Sequence, residues 1–306
     1  MIVKNYLNYI GSKDRYLPQI LEFIKTGAAI TGGSGFVDLF CGSAVVGVNA
    51  YEYFDDVWCY DACDELMQIH KHVQSASSSE ELLREIDAII AEYELSKTNK
   101  DGYLSMRSDY NEARTEHGYT DPMTLYCLIT HSYNYSLHLN NNHEYNVPFG
   151  ANRSSFNSSL RKKLINWKET LDKCSRIHFK TADFRDKYIL LNALFKRNVK
   201  KGVFFVDPPY SASISKHPYR IGGLRWGDDE DRALLDFLDD LNKKGHLFIF
   251  TNVISNNGVT NTILKKWVEE KAYTVTPVQI SYNNCSYQRR NGGETNEVII
   301  TNFNKE

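Results

Sequence analysis

Short, densely apolar runs alternate along the chain with segments whose apolar residues recur every three or four positions. The dense runs are FVDLF (36–40), VWCYD (57–61), IHFKTAD (177–183), VFFV (203–206) and HLFIFTN (246–252). Runs of this length, rich in β-branched and aromatic residues, predict strands, with VFFV buried on both faces and HLFIFTN buried as well. The intervening segments carry Leu17, Ile20, Leu21 and Ile24, then Leu190, Leu191, Leu194 and Phe195, at helical spacing. DEDRALLDFLDDLNKKG (229–245) opens on acids and closes on lysines and glycine, the favourable polarity for a helix. Strands separated by helices predict a parallel α/β sheet. The last two runs, TVTPVQISY (274–282) and NEVIITNF (296–303), are linked by a basic, Gly-rich turn and predict a closing antiparallel pair. The expectation is a mixed sheet of about seven strands.

From about 65 to 150 the texture changes. Ser78 and Glu81 have capping-box spacing ahead of a helix that puts Leu82, Leu83, Ile86, Ile89, Ile90 and Tyr93 on one face. Further helices are predicted over 103–114 and 122–136, followed by LHLNNNHEYNVPFG (137–150), a polar hairpin or loop. This reads as an inserted, mainly helical domain at 65–152, dividing a catalytic domain of 1–64 and 153–306. Its Asn/His-rich tip resembles a reading head more than core, although a solvated loop is the ordinary state of such a tip.

Composition narrows the class. With 306 residues, 42% hydrophobic and 24% charged, the chain can bury one large α/β core and a smaller insert. No apolar run approaches the roughly 20 residues of a membrane span, and MIVKNYLNYIGSK lacks a signal peptide's apolar core. A cytoplasmic location is expected. The six cysteines form no C-x-x-C pair and have no His at metal-ligand spacing, so neither disulfides nor a metal site is expected. Net charge is −2, but residues 151–180 hold eight Lys/Arg against two Asp/Glu, and 228–240 hold seven acids against one base. A local basic face of that kind can meet phosphates on a nearly neutral chain.

Two strand ends carry candidate chemistry. VFFV runs straight into Asp207, Pro208, Pro209 and Tyr210. The prolines stop the ladder, leaving a carboxylate and an aromatic ring at a strand's carboxyl end, where open α/β sheets bind ligands. Such a pair suits gripping and stacking a flat, polar ring; alternatively, Asp207 caps loop amides and Tyr210 covers the core. FVDLF likewise leads into Cys41-Gly42-Ser43-Ala44 and a helix, bringing backbone amides close to a ligand. Asp61 ends the next strand, 23 residues after Asp38, where an acid commonly bonds ribose hydroxyls; it could instead cap the helix starting near Glu65. The absence of G-x-G-x-x-G argues against a nicotinamide dinucleotide.

These motifs, in this order and over nearly the whole chain, resemble the Dam-type (alpha-class) DNA adenine-N6 methyltransferases. YIGSK (9–13) is similar to that family's N-terminal cofactor motif, DLFCGSAVVG (38–47) to its cofactor loop and YDAC (60–63) to its ribose-binding segment. YLSMRSDYN (103–111) resembles its Y-x-x-x-R-x-x-x-N helix, EYNVPFG (144–150) its hairpin end and TADF (181–184) the segment beside the cofactor's adenine. DPPY and the closing NGG…NEVIITN complete the set. The resemblance implies a Rossmann-like S-adenosylmethionine-dependent fold, with a target-recognition insert carrying a β-hairpin and double-stranded DNA as partner. A cognate restriction endonuclease is a further candidate partner, and no metal is needed. Asp207, Pro208, Pro209 and Tyr210 would be catalytic, acting on a flipped adenine. Tyr9, Gly11, Lys13, Asp38, Phe40, Gly42, Asp61, Asp183, Phe184 and Asp207 would hold the cofactor. Asn140, Asn141, Asn142, His143, Asn146, Pro148, Arg153, Arg289 and Arg290 would contact DNA.

The resemblance has local departures. Gly-Ser-Lys replaces the usual Gly-Gly-Lys, and Asn142 falls where GATC-reading members have arginine. Arginine pairs with guanine and asparagine with adenine, so a site other than GATC is expected. The rival acceptors are cytosine's amine, RNA adenine or a protein glutamine, and Asp207 before the two prolines favours adenine. A DNA-binding module without catalysis is the rival from another class; cofactor binding would separate the two.

Overall fold

The computed structural model describes residues 2–8, 11–118, 120–211, 220–221, 224–278 and 295–304. Its centre is an eight-stranded sheet. The strands are β1 (Gly35–Leu39), β2 (Asp56–Asp61), β3 (Ile177–Thr181), β4 (Val203–Val206), β7 (Leu247–Asn256), β8 (Val259–Thr260), β9 (Thr274–Pro277) and β10 (Thr295–Thr301). A separate ribbon pairs β5 (Arg220–Ile221) with β6 (Leu224–Arg225). The main path runs β3-β2-β1-β4-β7-β10-β9, with β8 folded back onto β7. The first five strands on this path are parallel, while β10 lies antiparallel between β7 and β9. The predicted antiparallel pair is present, and its second strand inserts inside the sheet instead of extending the edge. The eighth strand, only two residues long and exposed, is too short to leave a periodic signal.

Each dense run is a strand, and all but β3 bury both faces; β3, at the sheet's edge, buries Ile177 and Phe179 and leaves Lys180 exposed. Phe36, Val57, Cys59, Val203, Phe205 and Ile249 point to one side, and Val37, Trp58, Tyr60, Phe204, Phe248 and Phe250 to the other. The first face is covered by α1 (Leu17–Thr31), α2 (Val45–Ala50) and α3 (Asp64–Ser75). Leu194 of α8 (Lys187–Lys196) and the apolar stripes of α9 (Asp228–Lys243) and α10 (Thr262–Lys271) cover the second. Four more helices continue the first core outward: α4 (Ser79–Glu92), α5 (Lys100–His117), α6 (Pro122–His131) and α7 (Ser158–Leu171). Trp167, Tyr126 and Tyr6 pack together at their junction, ring centroids 5.1 and 5.7 Å from Tyr6.

Three local expectations change. The Ser78 side chain accepts from the Glu81 amide, but the returning Glu81 carboxylate takes Ser77, so only half the capping box forms. The helix predicted over 122–136 ends at His131, and Asn134 (φ 56°) turns the chain out of helical geometry. Asp61 does not cap α3, whose N-cap Cys63 makes no side-chain capping bond. The five described cysteines are free and buried, and Cys285 lies outside the described residues. Among the described residues no helix is long and apolar enough to cross a membrane, and no group of His, Cys, Asp or Glu is arranged to hold a metal.

Candidate active site

The order of strands reverses at β1, which has β2 on one side and β4 on the other. Helix α2, after β1, packs on one face, and α9, after β4, packs on the other, so the chain diverges at the β1 and β4 carboxyl ends. A crevice opens at such a point. It forms a cavity of about 350 Å³, within the size range of small-molecule and cofactor sites. Gly11, Lys13, Asp38, Phe40, Gly42, Asp61, Asp183, Phe184 and the whole Asp207–Tyr210 turn line it. Segments far apart in sequence therefore converge on one cavity. Tyr9 lies outside the described residues.

The first wall is a strained loop. Phe40 (φ 66°) and Ala44 (φ 57°) are left-handed, as is Gly42 (φ 48°) between them. Left-handed backbone at an aromatic residue costs energy and persists only where its surroundings enforce it. Here the Gly42 peptide is clamped on both sides. Its N–H donates to Asp61 Oδ2 at 2.9 Å, and its carbonyl lies 2.8 Å from His70 Nε2. Tyr6 Oη lies 3.0 Å from His70 Nδ1. A carbonyl only accepts, so Nε2 carries the proton and Nδ1 accepts from Tyr6. Burial lowers the His70 pKa to about 4 and keeps that tautomer neutral. The other Asp61 oxygen accepts from the Cys63 amide at 2.9 Å.

Asp38 sits beneath this loop. Its Oδ2 accepts from the Gly47 amide at 2.7 Å, while Oδ1 has no hydrogen-bond partner among the described residues. Burial raises its pKa to about 8. An orphaned carboxyl oxygen on a cavity wall is a place for a ligand's donor or cation. Helix α2 approaches closely enough only because residue 47 is glycine; an added Cβ would overlap Cys59 Sγ.

The opposite wall is the β4 turn. Asp207 Oδ1 accepts from Thr251 Oγ1 at 2.6 Å and from the Tyr210 hydroxyl at 2.8 Å, and Oδ2 pairs with Lys13 Nζ at 2.6 Å. The Lys13 ammonium also lies 5.1 Å from the Tyr210 ring centroid. Every Asp207 oxygen is thus held, with Oδ2 on the Lys13 side. Glu297 of β10 reaches the same tyrosine, 3.1 Å from its hydroxyl.

At the β2/β3 end, Phe40, Phe184 and Trp226 form an aromatic triangle with centroids 5.4–5.5 Å apart. Asp183 takes a bidentate pair from Arg185 at 2.8 and 2.7 Å, which lowers its pKa. Asp231 receives Ser211 at 2.5 Å and Trp226 Nε1 at 2.7 Å, tying together the residues before and after the 212–225 segment. Sequence reasoning did not single out His70, Thr251, Trp226, Glu230, Arg185 or Glu297. Thr251 did leave a trace, a polar residue following four apolar ones within β7.

The predicted DNA contacts lie on the loop after α6. Two isolated antiparallel bridges, Ser132–Phe149 and Leu139–Tyr145, close it as a hairpin. Asn140 is engaged within the turn, accepting from the Asn142 and Glu144 amides at 2.9 Å each and donating to Glu144 at 2.7 Å. Asn141, Asn142, His143, Asn146, Pro148 and Arg153 are exposed; Asn146 pairs with His138 at 2.7 Å, and Arg153 lies over the Tyr133 ring. Arg289 and Arg290 lie outside the described residues. Helix α5 grips the hairpin through residues four apart. Tyr103 and Arg107 donate to the Val147 carbonyl at 2.8 and 3.2 Å, and Asn111 bonds both backbone groups of Tyr145 at 2.8 and 3.0 Å. Four-residue spacing places all three on one helix face.

A sheet of this order, with one strand inserted antiparallel beside the last parallel one and a cavity over β1 and β4, is the mixed α/β methyltransferase fold. The chain belongs to the D12 class N6 adenine-specific DNA methyltransferase family, whose model matches residues 9–279. It is 33% identical over 302 residues to the type II methyltransferase M.FokI of Planomicrobium okeanokoites, covering 98% of this chain and 43% of that protein. It is also 33% identical over 305 residues to the modification methylase StsI of Streptococcus sanguinis, again with 98% and 43% coverage. The chain thus spans less than half the length of these curated relatives. Among solved structures, the rRNA methyltransferase aviRa of Streptomyces viridochromogenes gives a TM-score of 0.39 at 12% identity, over 98% of this chain and 90% of that one.

Proposed function

We propose that the chain is an S-adenosylmethionine-dependent DNA methyltransferase of the Dam-type alpha class, which methylates the exocyclic N6 amine of an adenine turned out of the duplex. The observation that carries this reading is the shared cavity, with the Gly42 loop on one wall and the Asp207–Tyr210 turn on the other. Residues 1–64 and 153–306 form the catalytic unit, and 65–152 the target-recognition unit. The family's name and the modification methylases among the relatives favour adenine in DNA and a restriction–modification setting, with a cognate endonuclease as partner.

The residues fit the cofactor. It carries a sulfonium and an ammonium, and the cavity is lined by Asp38, Asp61, Asp183, Asp207 and Glu230, with Asp38 Oδ1 unpartnered. Asp38, Phe40 and Gly42 take the methionine side, Asp61 the ribose, and Asp183 and Phe184 the adenine end. Gly11, Lys13 and Tyr9 close the pocket. When bound, S-adenosylmethionine supplies an electrophilic methyl group.

The protein's task is to aim a weak nucleophile. The adenine amine's lone pair is delocalised into its ring, and hydrogen bonds from the amine to Asp207 and the Pro208 carbonyl return that pair to nitrogen. Thr251 and Tyr210 hold Asp207 Oδ1, which makes Oδ2 the working oxygen, and Lys13 must share or yield it. Asp207 Oδ2 would also accept the proton the amine gives up. The Tyr210 ring stacks on the base, and Pro209 stiffens the turn. Positioning supplies much of the rate, and stacking offsets the few kcal/mol of base extrusion.

Asn140 shapes the tip that presents Asn141, Asn142 and His143 to base edges. Asn146, Pro148, Arg153, Arg289 and Arg290 complete the DNA-facing set, and asparagine at 142 favours a site other than GATC. Labelled methyl transfer offered in parallel to unmethylated duplex DNA, RNA and bulk protein tests the acceptor class. Label in DNA alone is expected; label confined to RNA or protein would overturn the reading.

A further inference from the structure

Tyr210 has one hydroxyl proton and two carboxyl neighbours. The hydroxyl oxygen is 2.8 Å from Asp207 Oδ1 and 3.1 Å from Glu297 Oε1. Asp207 Oδ2 is already matched by Lys13 at 2.6 Å. With Glu297 also ionised, the single Tyr210 hydrogen could serve only one of the two contacts at that oxygen, whatever the Lys13 charge and the Tyr16 hydroxyl supply to Glu297 from the other side. Both short contacts are satisfied if Glu297 carries a proton and donates it to the Tyr210 oxygen, freeing the Tyr210 hydrogen for Asp207.

We propose that Glu297 is a positioning residue for methyl transfer, a neutral acid at the head of a Glu297 → Tyr210 → Asp207 hydrogen-bond chain. This rests on the adenine-methylation reading above and deepens it. The chain fixes the Asp207 rotamer from the side opposite the acceptor: Tyr210 and Thr251 tie Oδ1, and Oδ2 is the oxygen that Lys13 must share with the amine. It also fixes the plane of the ring that stacks on the base. Burial, with the Asp207 charge adding to it, holds the Glu297 carboxyl above its ordinary pKa against the opposing pull of the Lys13 charge and the Tyr210 and Tyr16 hydroxyls. Among the described residues, the titratable groups facing Glu297 are Lys13 and Tyr16 at the N-terminal turn and Asp207 and Tyr210 at the β4 end. From the flanking strands, Val253 of β7 stands opposite it and Val278, just past β9, bonds its carbonyl; neither titrates. The contribution is present while Glu297 is protonated and is lost as pH rises through its raised value, because a second anion then competes for the Tyr210 hydrogen.

Two measurements decide this. In the first, kcat and cofactor affinity are followed against pH for the native chain, E297A and E297Q. Expected are an about tenfold or larger fall in kcat for E297A, as for one lost hydrogen bond to an essential group, and cofactor affinity within about twofold of native. E297Q, whose amide still donates to Tyr210, should restore most of that kcat and lack the native alkaline fall. Equal losses in E297A and E297Q would overturn the proposal. In the second, the Glu297 carboxyl is titrated by carbon NMR in the native chain and in Y210F. Its pKa should be raised and should drop in Y210F, where the acceptor is gone. A rise in Y210F would mean that the hydroxyl donates to Glu297, which reverses the chain and overturns the proposal. If the native chain methylates no DNA, the functional reading fails, while the titration still decides the proton assignment.

Discussion

Replacing Asn111 by alanine should uncouple target reading from chemistry. The Asn111 carboxamide holds Tyr145 by both backbone groups, at 2.8 Å from the amide and 3.0 Å to the carbonyl, and Tyr145 is 0% exposed. Water reaches such groups poorly, so alanine leaves a donor and an acceptor without partners. At about 1 kcal/mol per lost bond, the hairpin loses on the order of 2 kcal/mol of local stability. That is about a thirtyfold larger open fraction, well short of global unfolding. The Val147 carbonyl would still be held by Tyr103 and Arg107, so the loop should loosen without detaching. Hydrogen exchange at the Tyr145 amide should accelerate by about that factor. DNA affinity should fall while S-adenosylmethionine affinity, measured by calorimetry, stays put. Unchanged exchange at Tyr145 together with unchanged DNA affinity would refute the idea that α5 sets the hairpin.

Three further outcomes follow from the site. Gly47→Ala should destabilise the fold by about 1–3 kcal/mol, read by denaturant unfolding, because the new Cβ overlaps Cys59 Sγ; a neutral result would mean that α2 can retreat from the sheet. His70 is neutral when folded, its pKa depressed to about 4 from 6.5. Its contribution is therefore full above about pH 6.5 and is lost as pH falls towards 4, on the order of 3 kcal/mol. His70→Gln should flatten that acid limb in melting temperature against pH, and an unchanged limb would assign it to other groups. Thr251→Val keeps the shape but removes the 2.6 Å donor to Asp207. It should cut kcat by about tenfold or more with cofactor affinity retained, whereas a fall in affinity alone would place Thr251 in cofactor binding.

The centre of the sheet was legible because its strands are buried on both faces: VFFV and FIF leave no polar position to mislead. Both strand-end turns were legible for the complementary reason, an abrupt change from apolar residues to Asp, Pro or Gly that only an edge tolerates. The inserted position of β10 was not legible, since an apolar strand with two neighbours has the same pattern as one closing an edge. Nor could sequence show that Asn140 is consumed within its own turn, because a side chain that shapes a loop and one that reads a ligand are the same residue type. His70, Thr251 and Glu297 escaped notice because each acts through another residue's backbone or side chain. Such roles depend on distances across the fold, not on spacing in the chain. The Tyr103, Arg107 and Asn111 row was visible as a motif through family resemblance, and the structure supplies its physical reason, a helix face that hydrogen-bonds one backbone strand.

The most direct test of the central claim identifies the methylated atom. Unmethylated genomic DNA is incubated with S-adenosylmethionine and either the native chain or Asp207→Ala, digested to nucleosides and analysed by mass spectrometry. N6-methyldeoxyadenosine from the native chain, and none from the variant, is the predicted result. N4-methyldeoxycytidine, or N6-methyldeoxyadenosine formed equally well by both proteins, would contradict the account of Asp207 and its cavity.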